Sequence, residues 1–312
     1  MCWVAQGCWN VNCTPIESQM MTPFSNYNDN SSHPPRLCVG HSLWSLEKLP
    51  MNSSVEWTLE EKVARVKEAG FEHIECWLPT EELRACVPPL LEKYGLKLAL
   101  VHRASSVQET REVVEYAALL GAHWVVCQPA SAYHELGEIV ALVREGARVA
   151  ADNGVPYFVE THRNNFTETI RQTLELVDAV PEIAIAADFS HFVVCGEFYG
   201  WEGENAIERM RPIIERVAHV HGRVSNGEQV QVHVAEGDCG EGTPAGFFKQ
   251  IWTEIFRTWR RTARSGDILP FSSELGPPRY AITLPDGKEF SDRWQQSLVM
   301  KKLAEEAWEL SG

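Results

Sequence analysis

Eight short β-rich apolar runs, each followed by an amphipathic stretch of helical period, limit what this chain can fold into more than any other feature of its 312 residues. LCVGHSLWSL leads to SVEWTLEEKVARVKEAG, FEHIECWL to EELRACVPPLLEKYG, LKLALVHRAS to VQETREVVEYAALLGA, and HWVVCQPA to YHELGEIVALVREGARVAADNG. The second half continues with VPYFVETHRNN and FTETIRQTLELVDAV, IAIAADFSHF and ENAIERMRPIIERV, AHVHGRV and TPAGFFKQIWTEIFRTWRRTARSG, then ILPFSSELG and FSDRWQQSLVMKKLAEEAWEL. Most of these helical stretches end at or near Gly or Ala, as helix C-caps do. Eight βα units over roughly 275 residues predict an α/β fold of the (β/α)8 TIM barrel type, a single domain spanning 36–312. A doubly wound open sheet would place a glycine-rich phosphate loop after its first strand, and no GxGxxG follows VGHSLW.

Residues 1–35 stand apart. Segments such as SNYNDNSSHPP are rich in Asn, Ser and Pro and hold no sustained period, which predicts a flexible N-terminal tail. Its Cys2, Cys8, Cys13 and His33 lack zinc-finger spacing. The nine cysteines include no CxxC pair, and the pattern reads as reduced thiols in a cytoplasmic protein. No run approaches the ~20 apolar residues of a membrane span, and no basic region followed by an apolar one opens the chain. With 28 Lys+Arg against 43 Asp+Glu, a net charge of −15 argues against a nucleic-acid partner.

The last four strand-like runs each close on a metal-ligand type: Glu160, Asp188, His221 and Glu274. Alternation along a strand groups Phe158, Glu160 and His162, then Ala184, Ala186 and Asp188, then His219, His221 and Arg223, then Pro270, Ser272 and Glu274. Side chains at the C-terminal ends of parallel barrel strands converge on one mouth. Buried carboxylates are costly unless a cation offsets them, so a divalent ion is expected among these four. His219 lies one layer deeper, as a core histidine. His191, three residues past Asp188, suits a supporting or substrate-contacting place, and Arg223 has a fork able to hold a substrate oxygen. His41, Glu75 and His102, at the ends of the first three strands, are expected to face the mouth with Trp44 and Trp77 and to read a substrate by hydrogen bonds and stacking.

Four motifs carry a family resemblance: ETHR (Glu160 to Arg163), DxxH (Asp188 and His191), HVH (His219 to His221) and SSEL (Ser272 to Leu275). With them the chain resembles the xylose isomerase-like TIM barrel superfamily, in its sugar phosphate isomerase/epimerase branch of ketose 3-epimerase and inosose dehydratase-like proteins. The resemblance covers about Arg36 to the C-terminus. It implies one divalent metal held by Glu160, Asp188, His221 and Glu274. Members commonly show a Lys and an Asp after the strand-seven histidine, where this chain has Gly222, Arg223 and Val224. Three carboxylates and one imidazole favour Mn²⁺, with Mg²⁺, Co²⁺ or Zn²⁺ as other fits. The reading is then an isomerase or epimerase of a small sugar or polyol. Glu160 and Glu274 would move a proton beside a metal-polarised carbonyl, and His191 and Arg223 would steady the oxyanion.

Three other functions share this frame. In an inosose dehydratase-like lyase the same abstraction precedes loss of a β-hydroxyl. An endonuclease IV-like phosphodiesterase would need a multi-zinc cluster with nitrogen ligands such as His41, His102 and His191, and a basic track at the mouth. A non-catalytic sugar- or metal-binding barrel would keep the ligands alone. A homo-oligomer is a further expectation, since GFFKQIWTEIFRTW carries an apolar stripe, although that stripe must first cover the barrel.

Overall fold

The computed structural model describes residues 26–78, 80–198 and 203–312. The barrel strands are β2 (Arg36–Ser42), β3 (His73–Cys76), β4 (Lys97–Ala104), β5 (Trp124–Pro129), β6 (Tyr157–Glu160), β7 (Ile185–Ala187), β8 (Val217–Gly222) and β9 (Asp267–Ser273). Each pairs in parallel with its sequence neighbour, and β9 pairs with both β8 and β2, which closes the ring. The outer layer is α1 (Leu59–Glu68), α2 (Glu81–Tyr94), α3 (Val107–Leu119), α4 (Leu136–Asp152), α5 (Ile170–Ala179), α6 (Ser190–Gly196), α7 (Gly203–Ile214), α8 (Pro244–Arg260) and α9 (Arg293–Leu310). The expected (β/α)8 barrel is therefore the fold, with α6 as a short extra helix straight after β7. No helix among the described residues is long and apolar enough to cross a membrane.

Local sequence explains the boundaries. Thr58 accepts from the Glu61 amide while Glu61 reaches back to the Thr58 amide, a reciprocal cap for α1. Gly95, at φ 61°, ends α2 in the left-handed region that costs glycine little. In α8, Thr243 caps and Pro244 opens the helix, and Phe248, Ile251, Trp252, Ile255, Phe256 and Trp259 are buried on the helical period. That stripe covers the barrel: Trp252 meets Phe271 edge-on at 5.1 Å, and Phe256 packs on Trp308 of α9 at 5.7 Å. Each such large side chain taken from water contributes about 1.5–3 kcal/mol.

Inside the ring, a lower apolar layer of Cys38, Ala99, Val101, Trp124, Val126, Phe158, Ala184, Ala186 and Ile268 supports a polar upper layer. A short strand, β1 (Tyr27–Asn28), pairs antiparallel with the start of β9, and Tyr27 packs 5.3 Å from Trp124. Asn26 and Asn28 donate to the Asp267 carboxylate at 3.0 and 2.6 Å. The last part of the expected tail, from residue 26 on, thus carries β1 and packs on β9 and Trp124. The rest of that tail, with Cys2, Cys8 and Cys13, lies outside the described residues.

Candidate metal centre

Four neighbouring strands bring the ligand set together. Glu160 ends β6, Asp188 follows β7, His221 lies in β8, and Glu274 follows β9. One donor atom from each lies within 4.8 Å of the others, and the four residues are at most 6% exposed. The His221 Nδ1 is 3.1 Å from Glu160 Oε1 and 3.1 Å from Glu274 Oε2. Arg223 penetrates the same cluster: its Nε donates to Asp188 Oδ2 at 3.0 Å, Nη2 to Glu274 Oε2 at 2.9 Å and Nη1 to Gln231 Oε1 at 3.1 Å. Three of its five N–H bonds are so committed, leaving two for another acceptor. The oxyanion-binding place expected for Arg223 is reduced to those two.

The electrostatics follow from packing three acids around two cations. Burial raises the Glu160 pKa to about 7, against the pull of His221. Burial acts on Glu274 and Asp188 in the same direction, but His221 and Arg223 outweigh it at Glu274, which is lowered, and His191 and Arg223 at Asp188, which is held well below its ordinary value. His221 is opposed by burial yet held well above its ordinary value by Glu75, Glu274 and Glu160. A desolvated set of three carboxylate oxygens and one imidazole nitrogen fits a hard divalent ion, which would take the place of positive charge that His221 otherwise supplies.

Beneath the cluster, buried polar groups continue down the barrel axis. Glu75 Oε1 lies 2.8 Å from His221 Nε2, and Glu75 Oε2 lies 3.4 Å from His219 Nε2. Ser272 Oγ is hydrogen-bonded to His219 Nε2 at 3.1 Å and His73 Nε2 at 2.8 Å. His219 is the core histidine that its depth in β8 predicts. Glu75 faces inward as expected, but it is fully buried under His221 and is placed against the imidazole rather than at the rim.

Two expected mouth residues are elsewhere. Cys38 lies in the interior layer, and an inward Cβ at Gly40 would come within 2.3 Å of the His73 ring, so His41 faces outward, 5.3 Å from Phe71 and 5.8 Å from Trp294 of α9. In β4, Ala99 and Val101 hold the interior register, which turns His102 toward the helix layer beside Tyr157 and gives the mouth to Arg103. A one-residue phase error in each strand moved both histidines to the wrong face. His191 is where the DxxH spacing predicts, with Nε2 3.4 Å from Asp188 Oδ2.

Sequence reasoning missed several members of this site. Gln128, two steps along β5 from the inward Val126, donates to Glu160 Oε2 at 2.8 Å and accepts from Arg103 Nε at 2.9 Å; period-two counting from Trp124 finds it. His162, which strand alternation grouped with Glu160 without a role at the site, packs against His191 with ring centroids 4.1 Å apart. Tyr280, in the loop after β9, covers the cluster: its ring lies 4.6 Å from the Arg223 guanidinium and 5.1 Å from Trp44, and its hydroxyl is 3.4 Å from His162 Nε2. Gln231 anchors that loop, accepting from the Gly276 amide at 2.8 Å and donating to its carbonyl at 3.1 Å. Trp77, placed in the same wall as Trp44 by sequence, is 38% exposed.

The family model described as "Xylose isomerase-like TIM barrel" matches residues 63–262, more than half of the chain. Among solved structures, an L-ribulose 3-epimerase superposes with a TM-score of 0.58 at 15% identity, covering 88% of this chain and 95% of that one. A probable 3-DHS dehydratase AsbF from Bacillus anthracis gives 0.51 at 19% identity, covering 86% and 98%. A xylose isomerase-like TIM barrel protein from Mycobacterium smegmatis in complex with magnesium gives 0.52 at 12% identity, covering 81% and 89%. At such identities these likenesses show the fold alone. No curated protein matches the chain significantly.

Proposed function

Because this chain belongs to the xylose isomerase-like TIM barrel family, we propose that it is a divalent-metal-dependent isomerase or epimerase of a small sugar or polyol. The observation that carries the reading is the convergence of Glu160, Asp188, His221 and Glu274 on one buried point at the C-terminal ends of β6 to β9. Manganese is our first assignment for this donor set, and when bound it supplies Lewis acidity toward a substrate carbonyl.

The chain's own groups provide the proton chemistry. Glu160 and Glu274 approach from β6 and β9, so a carbon seated between them meets a carboxylate on either side. One removes the proton beside the carbonyl. Return by the other inverts the centre, and return by the first at the adjacent carbon gives an isomer. Gln128 fixes Glu160 by holding Oε2, while Arg223 fixes Asp188 and Glu274. His191 and the two uncommitted N–H bonds of Arg223 are the donors for developing negative charge. The Tyr280 ring, lying over Arg223, keeps water from the centre.

Of the nitrogen ligands expected for a multi-zinc nuclease, His41 and His102 face the helix layer, while His191 stands with His162 and Glu160 in a second group of possible ligands. The test is solvent exchange: manganese-loaded protein incubated in D₂O with a panel of ketoses and inososes, read by NMR for deuterium beside the carbonyl. Exchange that Glu160→Gln and Glu274→Gln each abolish is expected. Absence of exchange from every member of the panel would refute the assignment, and elimination products in place of exchange would make the enzyme a lyase.

A further inference from the structure

One buried amide side chain joins the loop that carries Tyr280 to the guanidinium that holds two of the ligand carboxylates. Gln231, 3% exposed, accepts from Arg223 Nη1 at 3.1 Å and from the Gly276 amide at 2.8 Å, and its Nε2 donates to the Gly276 carbonyl at 3.1 Å. Both backbone polar groups of Gly276 thus go to a single residue of the loop after β8. Arg223 in turn donates to Asp188 at 3.0 Å and to Glu274 at 2.9 Å. Four residues past Gly276, the Tyr280 ring lies 4.6 Å from the same guanidinium.

The surrounding packing leaves this junction little slack. A Cβ at Gly276 would come within 2.2 Å of the Trp44 ring, and that ring stands 5.1 Å from Tyr280 and 5.7 Å from the Arg223 guanidinium. The far end of the Tyr280 loop is fixed separately: the Asn52 side chain bonds both backbone polar groups of Glu289, and Arg293 Nε donates to the Glu289 carboxylate at 2.6 Å. Between the two ends Ile282 and Leu284 are exposed. A buried amide that gives up one partner leaves polar groups unsatisfied on both sides, so the contacts of Gln231 form and break as a set.

We propose that Gln231 is a positioning residue for the metal centre: through Arg223 it fixes the Asp188 and Glu274 carboxylates, and through Gly276 it holds Tyr280 over them. The loop therefore does not lift without loosening the fork that sets the ligand geometry, and the ion enters or leaves when both give way together. This rests on the metal-centre reading above and on no particular substrate or reaction.

The test compares wild-type full-length protein with Gln231→Met, Tyr280→Ala and the double variant. It reads the rate at which excess EDTA strips Mn²⁺, the electron paramagnetic resonance spectrum of the bound Mn²⁺, and hydrogen exchange over residues 276–284 of the metal-free protein. Gln231→Met keeps the side-chain length and loses all three hydrogen bonds, so release should speed up about tenfold. The double variant should release no faster than the quicker single, because both substitutions open one unit. The Mn²⁺ spectrum should change in Gln231→Met although that side chain is none of the four ligands, and exchange over 276–284 should rise about tenfold. Single effects that multiply to about 100-fold in the double variant, or a Gln231→Met protein with wild-type release and spectrum, overturn the proposal. If Gln231→Met fails to fold, Gln231→Glu takes its place: it keeps both acceptor contacts and loses only the bond to the Gly276 carbonyl, so release should shift in the same direction, and wild-type release from it also overturns the proposal. A wild type that binds no Mn²⁺ would count against the metal centre itself. Hydrogen exchange would then decide alone, since lost protection in Gln231→Met keeps the clamp on the Tyr280 loop and unchanged protection removes it.

Discussion

The Nε2 atom of His221 lies 2.8 Å from Oε1 of Glu75, on the side of the ring opposite the carboxylates that Nδ1 meets. The contact lacks hydrogen-bond geometry, so Glu75 acts on the imidazole through its charge, which makes the ring that offers Nδ1 to a metal more basic. Replacing Glu75 with Gln should therefore lower metal affinity by about 10- to 100-fold, the usual cost of removing such a partner. Competition with a fluorescent chelator measures it. Unchanged affinity would show that the charge does not act on the ring.

Metal-free protein should be most stable near pH 7. Burial holds His41, His73, His102, His123, His162, His191 and His219 below their ordinary values, so between pH 5 and 7 the unfolded chain binds more protons than the folded one and stability rises with pH. Glu160, raised to about 7, opposes this rise but is one group against seven. Above pH 7 the raised His221 takes over, because the folded state keeps a proton that the unfolded chain has lost. Calorimetric Tm values in EDTA should therefore be higher at pH 7 than at pH 5 and fall again at pH 9, and saturating Mn²⁺ should lessen the fall. A Tm that drops from pH 5 to pH 7 would contradict the charge arrangement.

Much of this site was legible because Glu160, Asp188, His221 and Glu274 each close an apolar run, and each run ends at the same rim. His41 and His102 misled for a physical reason. Strands β2 and β4 are buried on both faces, so polarity does not alternate along them, and small residues such as Gly40 and Ala99 conceal which face is interior. Tyr280 gave no sequence signal, since its position depends on Gln231 binding Gly276 across a long separation. The ordering of Asn26 and Asn28 likewise depends on Asp267, far away in sequence.

Tyr280→Ala should open the centre. The substitution removes cation–π contacts to Arg223 and Arg163, each worth about 0.5–2 kcal/mol, and uncovers the ligands. Stripping of bound metal by excess EDTA should accelerate about tenfold, the factor that 1.4 kcal/mol represents. Stopped-flow measurement with an indicator dye follows the release. An unchanged rate would mean that the ring does not govern access.

Gly40→Ala tests the interior packing, because the added carbon would come 2.3 Å from the His73 ring. The expected cost is about 1–3 kcal/mol in urea unfolding, as for other overpacked cores. Gly137→Ala in α4 meets nothing within 4 Å and should be neutral or stabilising by up to about 1 kcal/mol. Equal effects of the two would refute the crowding at Gly40.

The central claim is the metal centre, and elemental analysis of the purified protein after reconstitution tests it most directly, with Glu160→Gln and His221→Ala alongside. The account predicts about one divalent ion per chain in the wild type and almost none in either variant. A wild-type protein that takes up no metal, or variants that keep it in full, would contradict the assignment of these four residues.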